Sequence, residues 1–138
     1  ENFVRNGVLD QNKIQENAAK LIKDYQIKAS PGDRVRTLSG GNMQKVMLAR
    51  TLSQEPRVVI ASQPTRGLDV GATDYVRSKL LEQRDAGAAV LLLSEDLEEI
   101  LALSDRIAVI YAGRIMGILP ANEATPEKLG LMMAGSAG

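Results

Sequence analysis

Leu38-Ser39-Gly40-Gly41-Asn42, followed by Met43-Gln44-Lys45-Val46-Met47-Leu48-Ala49-Arg50, decides how the rest of the chain reads. The first five residues are small, polar and glycine-rich. The next eight are mostly good helix formers, and helix can run unbroken to about Gln54. Two glycines therefore sit at a helix N-terminus, behind a serine that can act as its N-cap. A helix start offers unpaired N–H groups and the positive end of the macrodipole. Gly40 and Gly41 have no side chains to keep an anion off the backbone, and the Ser39 hydroxyl adds a donor. This is a place to hold a phosphate. The same spacing equally fits an ordinary capped helix after a turn.

The bulk properties narrow the field. A chain of 138 residues has room for one domain with a moderate core, burying roughly two-thirds of its chain surface. Lys+Arg and Asp+Glu are both 17, so no basic field advertises a nucleic acid and no polybasic run advertises anionic lipid. Cys and His are both absent, which excludes disulfides, Cys/His zinc sites, thiol nucleophiles and any histidine-based triad within the chain. No apolar run approaches the ~18 residues that span a bilayer, and no signal-peptide pattern opens the chain. Glu1 is not an initiator methionine, so a fragment of something longer is expected.

Outward from the opening stretch, the elements follow by pattern. Upstream, residues 1–10 carry little signal, and Asp10 can cap a helix to about Tyr25 with Ile14, Ala18, Leu21, Ile22 and Tyr25 on one face. Residues 26–36, with Ser30-Pro31-Gly32-Asp33, read as a loop. Downstream, Val58-Val59-Ile60-Ala61 suits a strand buried on both faces. Asp69 can cap a helix from about Val70 to Asp85, ended by Gly87, with Val76, Leu80 and Leu81 inward. Residues 88–93 form a second buried strand, which makes a βαβ unit with a parallel pair. A short helix over 97–103 follows, with Asp96, Glu98 and Glu99 as its solvated start. Strands over 106–111 and 114–119 then flank a turn at Ala112-Gly113. Pro126 opens a last helix, and Met43 and Met47 are expected to pack in the core.

Leu38-Ser39-Gly40-Gly41-Asn42 resembles the LSGGQ signature of ATP-binding cassette (ABC) ATPases, with Asn in place of the usual Gln. Val58 to Thr65 resembles the Walker B strand, Gly67-Leu68-Asp69 the D-loop, and Leu93-Ser94-Glu95-Asp96 the switch region. Asp105 to Val109 and Gly113 to Ile115 resemble the closing strands. The similarity covers about residues 36–119. Asn42, the run Thr65 to Ala72 and Ser94-Glu95-Asp96-Leu97 are similar to one branch, the second cassette of bacterial sugar and nucleoside importer ATPases. The resemblance implies an α/β fold: a partial nucleotide-binding domain of P-loop NTPase type, with parallel strands and flanking helices, lacking the Walker A half. On it, 1–36 would be the end of a helical subdomain and a linker. Residues 37–119 would run from the signature to the C-terminal strands, and 120–138 would be a C-terminal helix and tail.

The departures from the family pattern are chemical. Walker B normally supplies one carboxylate for Mg²⁺ and another to polarise water. Ser62 stands at the first position and Gln63 at the second, that of the catalytic Glu. A glutamine can orient a water but cannot take its proton. Glu95 stands at the switch His position. No GxxxxGK[ST] occurs, so the phosphate loop would lie upstream of Glu1. Simpler local readings coexist with these: Ser62 and Gln63 as a strand end, Asp69 as an N-cap, Glu95 as an acid before a helix start.

In this family two cassettes dimerise head to tail, each ATP lying between one cassette's Walker motifs and the other's signature. The resemblance then implies that Ser39, Gly40, Gly41, Asn42 and Asp69 bind nucleotide, and that Ser62 leaves this cassette's own metal position without its ligand. It implies ATP and Mg²⁺ in the complete assembly, and ATPase activity in the full-length protein but not in this chain alone. Its partners would be a second cassette, membrane permease subunits and, indirectly, a substrate-binding protein, with no nucleic acid. Its place would be peripheral, at the cytoplasmic face of the membrane. Two other readings stay open: a non-transport ABC protein, and a regulatory nucleotide-sensing module without turnover.

Overall fold

The computed structural model describes residues 3–5 and 7–136. They fall into two compact units. One holds the chain up to Val59 together with Thr65–Val90; the other holds Ile60–Pro64 and the chain from Leu91 onward.

The first unit opens with a hairpin, which the sequence did not announce. Val4–Arg5 (β1) pairs antiparallel with Val8–Leu9 (β2), and Gly7 takes φ 81° in the turn. Asp10 then caps Gln11–Asp24 (α1), its carboxylate accepting from the Lys13 amide. The connector after α1 ends in a single 3-10 turn, Val35–Thr37. Gly40–Leu52 (α2) starts at its Ser39 cap, and Val70–Asp85 (α3) starts at its Asp69 cap. These two helices pack on each other. They contribute Leu48, Ala49 and Leu52 from α2, and Val76 and Leu80 from α3, to the buried set of the unit.

Met43 and Met47 correct an expectation. Both are exposed, Met47 at 62%. The helical period puts them on the far side of α2 from Leu48, Ala49 and Leu52.

Val58–Ser62 (β3) and Ala89–Leu93 (β4) form a two-stranded sheet. The Ala89 amide donates to the Arg57 carbonyl, and the Gln63 amide donates to the Leu93 carbonyl. The two bonds advance together along both strands, so the pair is parallel, as a βαβ unit requires. Burial alternates instead of being continuous. Val59 is buried, while Val58 is 61% and Ile60 69% exposed; Leu91 and Leu93 stand out likewise. β3, whose composition suits burial on both faces, is thus bare on one of them in this chain. An unbroken apolar run carries no period that says how many of its faces the same chain covers.

In the second unit, Leu97–Leu103 (α4) follows its Asp96 cap. Arg106–Tyr111 (β5) and Arg114–Pro120 (β6) form an antiparallel hairpin, from Arg106 opposite Pro120 to Tyr111 opposite Arg114. Its two-residue turn has φ 47° at Ala112 and 74° at Gly113, the positive pair that matches strand twist. Pro126–Met133 (α5) lies against this hairpin. Ile107, Val109, Leu129 and Met132 make the core, with Leu97, Ile100 and Leu101 of α4 packed on it. Glu99, expected in solvent with its neighbours, is fully buried. The Asp96 cap accepts from both the Glu98 and the Glu99 amides, and the turn it fixes carries Glu99 inward.

Candidate functional site

The signature turn has the capping predicted for it. Ser39 has extended backbone, φ −64° and ψ 157°, and its Oγ accepts from the Asn42 amide at 3.4 Å. Gly40 and Gly41 are the first two helical residues, and their surroundings differ. A Cβ on Gly40 would meet nothing within 4 Å, whereas one on Gly41 would stand 3.2 Å from the Ala72 Cβ. Gly40 leaves the helix start open to a ligand. Gly41 lets α3 come close to α2.

The D-loop residues sit in the same unit. The chain turns at Gly67, φ 74°, where the Leu68 amide donates to the Thr65 carbonyl. Asp69 Oδ1 then accepts from the Ala72 amide at 2.9 Å. The carboxylate is thus a helix cap, with its charge at the favourable end of the α3 dipole. Because Ala72 also faces Gly41, the starts of the signature helix and of the D-loop helix are held side by side.

Side chains of both helices grip the chain leaving α1, a feature the sequence reading missed. Tyr75 of α3 donates its hydroxyl to the Tyr25 carbonyl at 2.8 Å. Lys45 of α2 donates to the Gln26 carbonyl at 3.1 Å, and its ammonium lies 4.4 Å from the Tyr75 ring centroid. Asn42 Oδ1 accepts from the Lys28 amide at 2.9 Å. Burial pushes the Tyr75 hydroxyl up to about 12, with the nearby Tyr25 and Glu82 adding to the effect. Tyr75 therefore stays a donor throughout the physiological range. The available signals were Asn42 and Lys45 at i,i+3 spacing, and Tyr75 and Lys79 at i,i+4.

Ser62, Gln63 and Glu95 belong to the second unit. Ser62 ends β3 and is exposed. Gln63 takes φ 49°, a left-handed backbone uncommon outside glycine, asparagine and aspartate. Its amide bond to Leu93 holds the end of β3 to the end of β4. Glu95 is exposed and precedes the Asp96 cap, whose amide donates to Ser94 Oγ. The hydroxyl and carboxamide at 62 and 63 are neutral oxygen donors, and among the described residues no group of three acidic side chains gathers where it could hold a metal. Neither side chain offers the carboxylate through which protein sites commonly hold Mg²⁺.

Comparison with known proteins returns ATP-binding cassette proteins. Residues 1–66 match the family described as ABC transporter. The guanosine import ATP-binding protein NupO of Bacillus subtilis (strain 168) is 52% identical over 132 residues, covering 94% of this chain and 26% of that protein. The nucleoside import ATP-binding protein NupA of Lactococcus lactis subsp. cremoris (strain MG1363) is 47% identical over 131 residues, with the same coverage of 94% and 26%. The ribose import ATP-binding protein RbsA of Bacillus subtilis (strain 168) is 42% identical over 134 residues, covering 96% and 27%. The chain thus spans about a quarter of the length of these curated relatives. Among solved structures, MJ1267, an ATP-binding cassette of an ABC transporter, aligns with a TM-score of 0.73 at 20% identity, over 98% of this chain and 52% of that one. The dimeric structure of MJ0796, a bacterial ABC transporter cassette, aligns with a TM-score of 0.69 at 22% identity, over 85% and 51%. These two likenesses concern the fold.

Proposed function

We propose that this chain is part of an ABC-type ATPase cassette and serves the ATP-binding subunit of an importer for nucleosides or sugars, as an asymmetric half-site. Its signature, Ser39 with Gly40, Gly41 and Asn42, meets the ATP held by a second cassette, with Asp69 setting the adjoining helix. Its own Walker B end, Ser62 and Gln63, contributes to a second site that turns over little or nothing, and Glu95 gives that site no imidazole. In this assignment residues 1–36 end a helical subdomain, 37–119 form the core from the signature onward, and 120–138 form a C-terminal helix and tail. The last two residues of that tail lie outside the described ones.

One observation carries the reading. The same chain has an accessible signature turn, with nothing within 4 Å of a Cβ on Gly40, and a strand end with no carboxylate at 62 or 63. Preorganised N–H and O–H donors at the first place can stabilise charge developing on a phosphate. At the second, neither Ser62 nor Gln63 can accept a proton from water. Mg²⁺ in the assembly is then held by the second cassette. The importer assignment is supported by the relatives, whose own names state guanosine, nucleoside and ribose import. A membrane permease is the implied partner, with the subunit peripheral on its cytoplasmic side. The absent carboxylates also favour a second reading, a nucleotide-sensing module without turnover.

The 138-residue chain alone should release phosphate from Mg·ATP at no more than background, while the complete protein with its permease turns over. Hydrolysis by the isolated chain that survives repurification would overturn the site assignment. A complete assembly that binds ATP without turning it over would select the sensing module.

A further inference from the structure

Asn42 occupies the last position of the signature, and both ends of its carboxamide bond to protein partners. The Lys28 amide can only donate, so the atom facing it at 2.9 Å is the Asn42 oxygen. The amide nitrogen therefore faces Ser39 Oγ, at 2.9 Å, and there it must donate. The Asn42 backbone amide donates to the same oxygen at 3.4 Å. Ser39 Oγ thus accepts twice. Its remaining capacity is its own hydrogen, which no acceptor takes among the described residues. A hydroxyl with both acceptor positions occupied is committed to donate, and a phosphate oxygen is an acceptor.

The far end of this bridge is itself fixed. The connector that supplies the Lys28 amide is held at the Gln26 carbonyl by Lys45 and at the Tyr25 carbonyl by Tyr75. Three side chains from two helices thus bond to the backbone of residues 25–28. A hydrogen bond to a loose loop would orient nothing; this one ends on a clamped segment.

Resting on the reading of Ser39 as a donor to the second cassette's ATP, we infer that Asn42 is a positioning residue. Its side chain turns the Ser39 hydroxyl outward as a donor and ties that hydroxyl to the end of α1. Movement of α1 against α2 then changes the aim of Ser39 through Asn42.

The test is a double-mutant cycle in the complete protein with its permease, reading kcat, KM for ATP and nucleotide-free melting temperature. Ser39→Ala removes the donor and should lower kcat about a hundredfold, the loss typical of one preorganised donor. Asn42→Ala should lower kcat at least tenfold, with KM within about threefold, as for an interaction made only in the transition state. The double variant should be no slower than Ser39→Ala. Losses that multiply would show Asn42 acting independently of Ser39 and overturn the inference while leaving the signature reading intact. A Ser39→Ala protein with unchanged kcat overturns both. If Asn42→Ala melts too early to assay, Asn42→Asp keeps an acceptor for the Lys28 amide while its carboxylate captures the Ser39 hydrogen. Its loss in kcat must then be at least tenfold larger with Ser39 present than in the Ser39→Ala background, where only its charge acts. Equal losses in the two backgrounds overturn the inference.

Discussion

A Cβ on Gly40 would meet open space, whereas one on its neighbour Gly41 would press on Ala72 from 3.2 Å. Alanine at these two positions should therefore separate function from folding. Neither glycine has a positive φ, so neither backbone needs glycine for conformation. Gly40→Ala should hold or raise stability by about 0.4–1 kcal/mol, through the reduced entropy of the unfolded chain. On the proposed function it should still slow turnover in the assembly, because the methyl would cover amides assigned to the second cassette's phosphate. Gly41→Ala should lower stability by about 1–3 kcal/mol, the usual cost of overpacking a close contact. Denaturant unfolding alongside phosphate release checks both. Equal stability losses at the two positions would contradict the distinct surroundings of the two glycines.

Between elements, the contacts that matter join α3 and α2 to the chain leaving α1, and Tyr75 is a titratable member of that set. Its hydroxyl is raised from 10.0 to about 12, mainly by burial. Below pH 10 the folded and unfolded tyrosines are both protonated, so the full contribution of Tyr75 is present. Between pH 10 and about 12 the unfolded chain releases this proton and the folded one keeps it, so stability falls as pH rises. Tyr75→Phe should lose about 0.5–1.5 kcal/mol at neutral pH, as for one hydrogen bond, and should show a shallower alkaline decline than the parent. Melting temperatures of both proteins across pH 8–12 test this, and parallel alkaline declines would contradict it. These contacts also mark where the sequence stopped being legible. Caps and periods are local, so Asp10, Ser39 and Asp69 and the helices behind them could be read directly. The bond from Tyr75 to Tyr25 spans 50 positions and leaves no local pattern. The β1–β2 hairpin was missed because two-residue strands have no period. The burial of Glu99 was missed because a seven-residue helix is too short to phase one polar side chain against its few apolar ones.

At the scale of the whole molecule, the order of elements was the most legible feature, because the helices capped by Ser39 and Asp69, the strand between them and the closing hairpin fall where the local pattern puts them. How many faces of β3 and β4 this chain covers was not legible, since exposed Val58, Ile60, Leu91 and Leu93 look in sequence like buried core. The central claim concerns the division of labour across the assembly: the signature serves a working site, and Ser62 with Gln63 serves a weak one. Gly40→Asp adds bulk and negative charge where the backbone must approach a triphosphate. Gln63→Ala removes no base, because none is there. The most direct measurement is steady-state phosphate release from these two variants in the complete reconstituted transporter. The expected result is collapse in Gly40→Asp, by a hundredfold or more, and turnover within about tenfold of the parent in Gln63→Ala, the equivalent of about 1.36 kcal/mol. A Gln63→Ala protein as inactive as Gly40→Asp would show that this cassette's own site performs essential chemistry, and would contradict the asymmetric account.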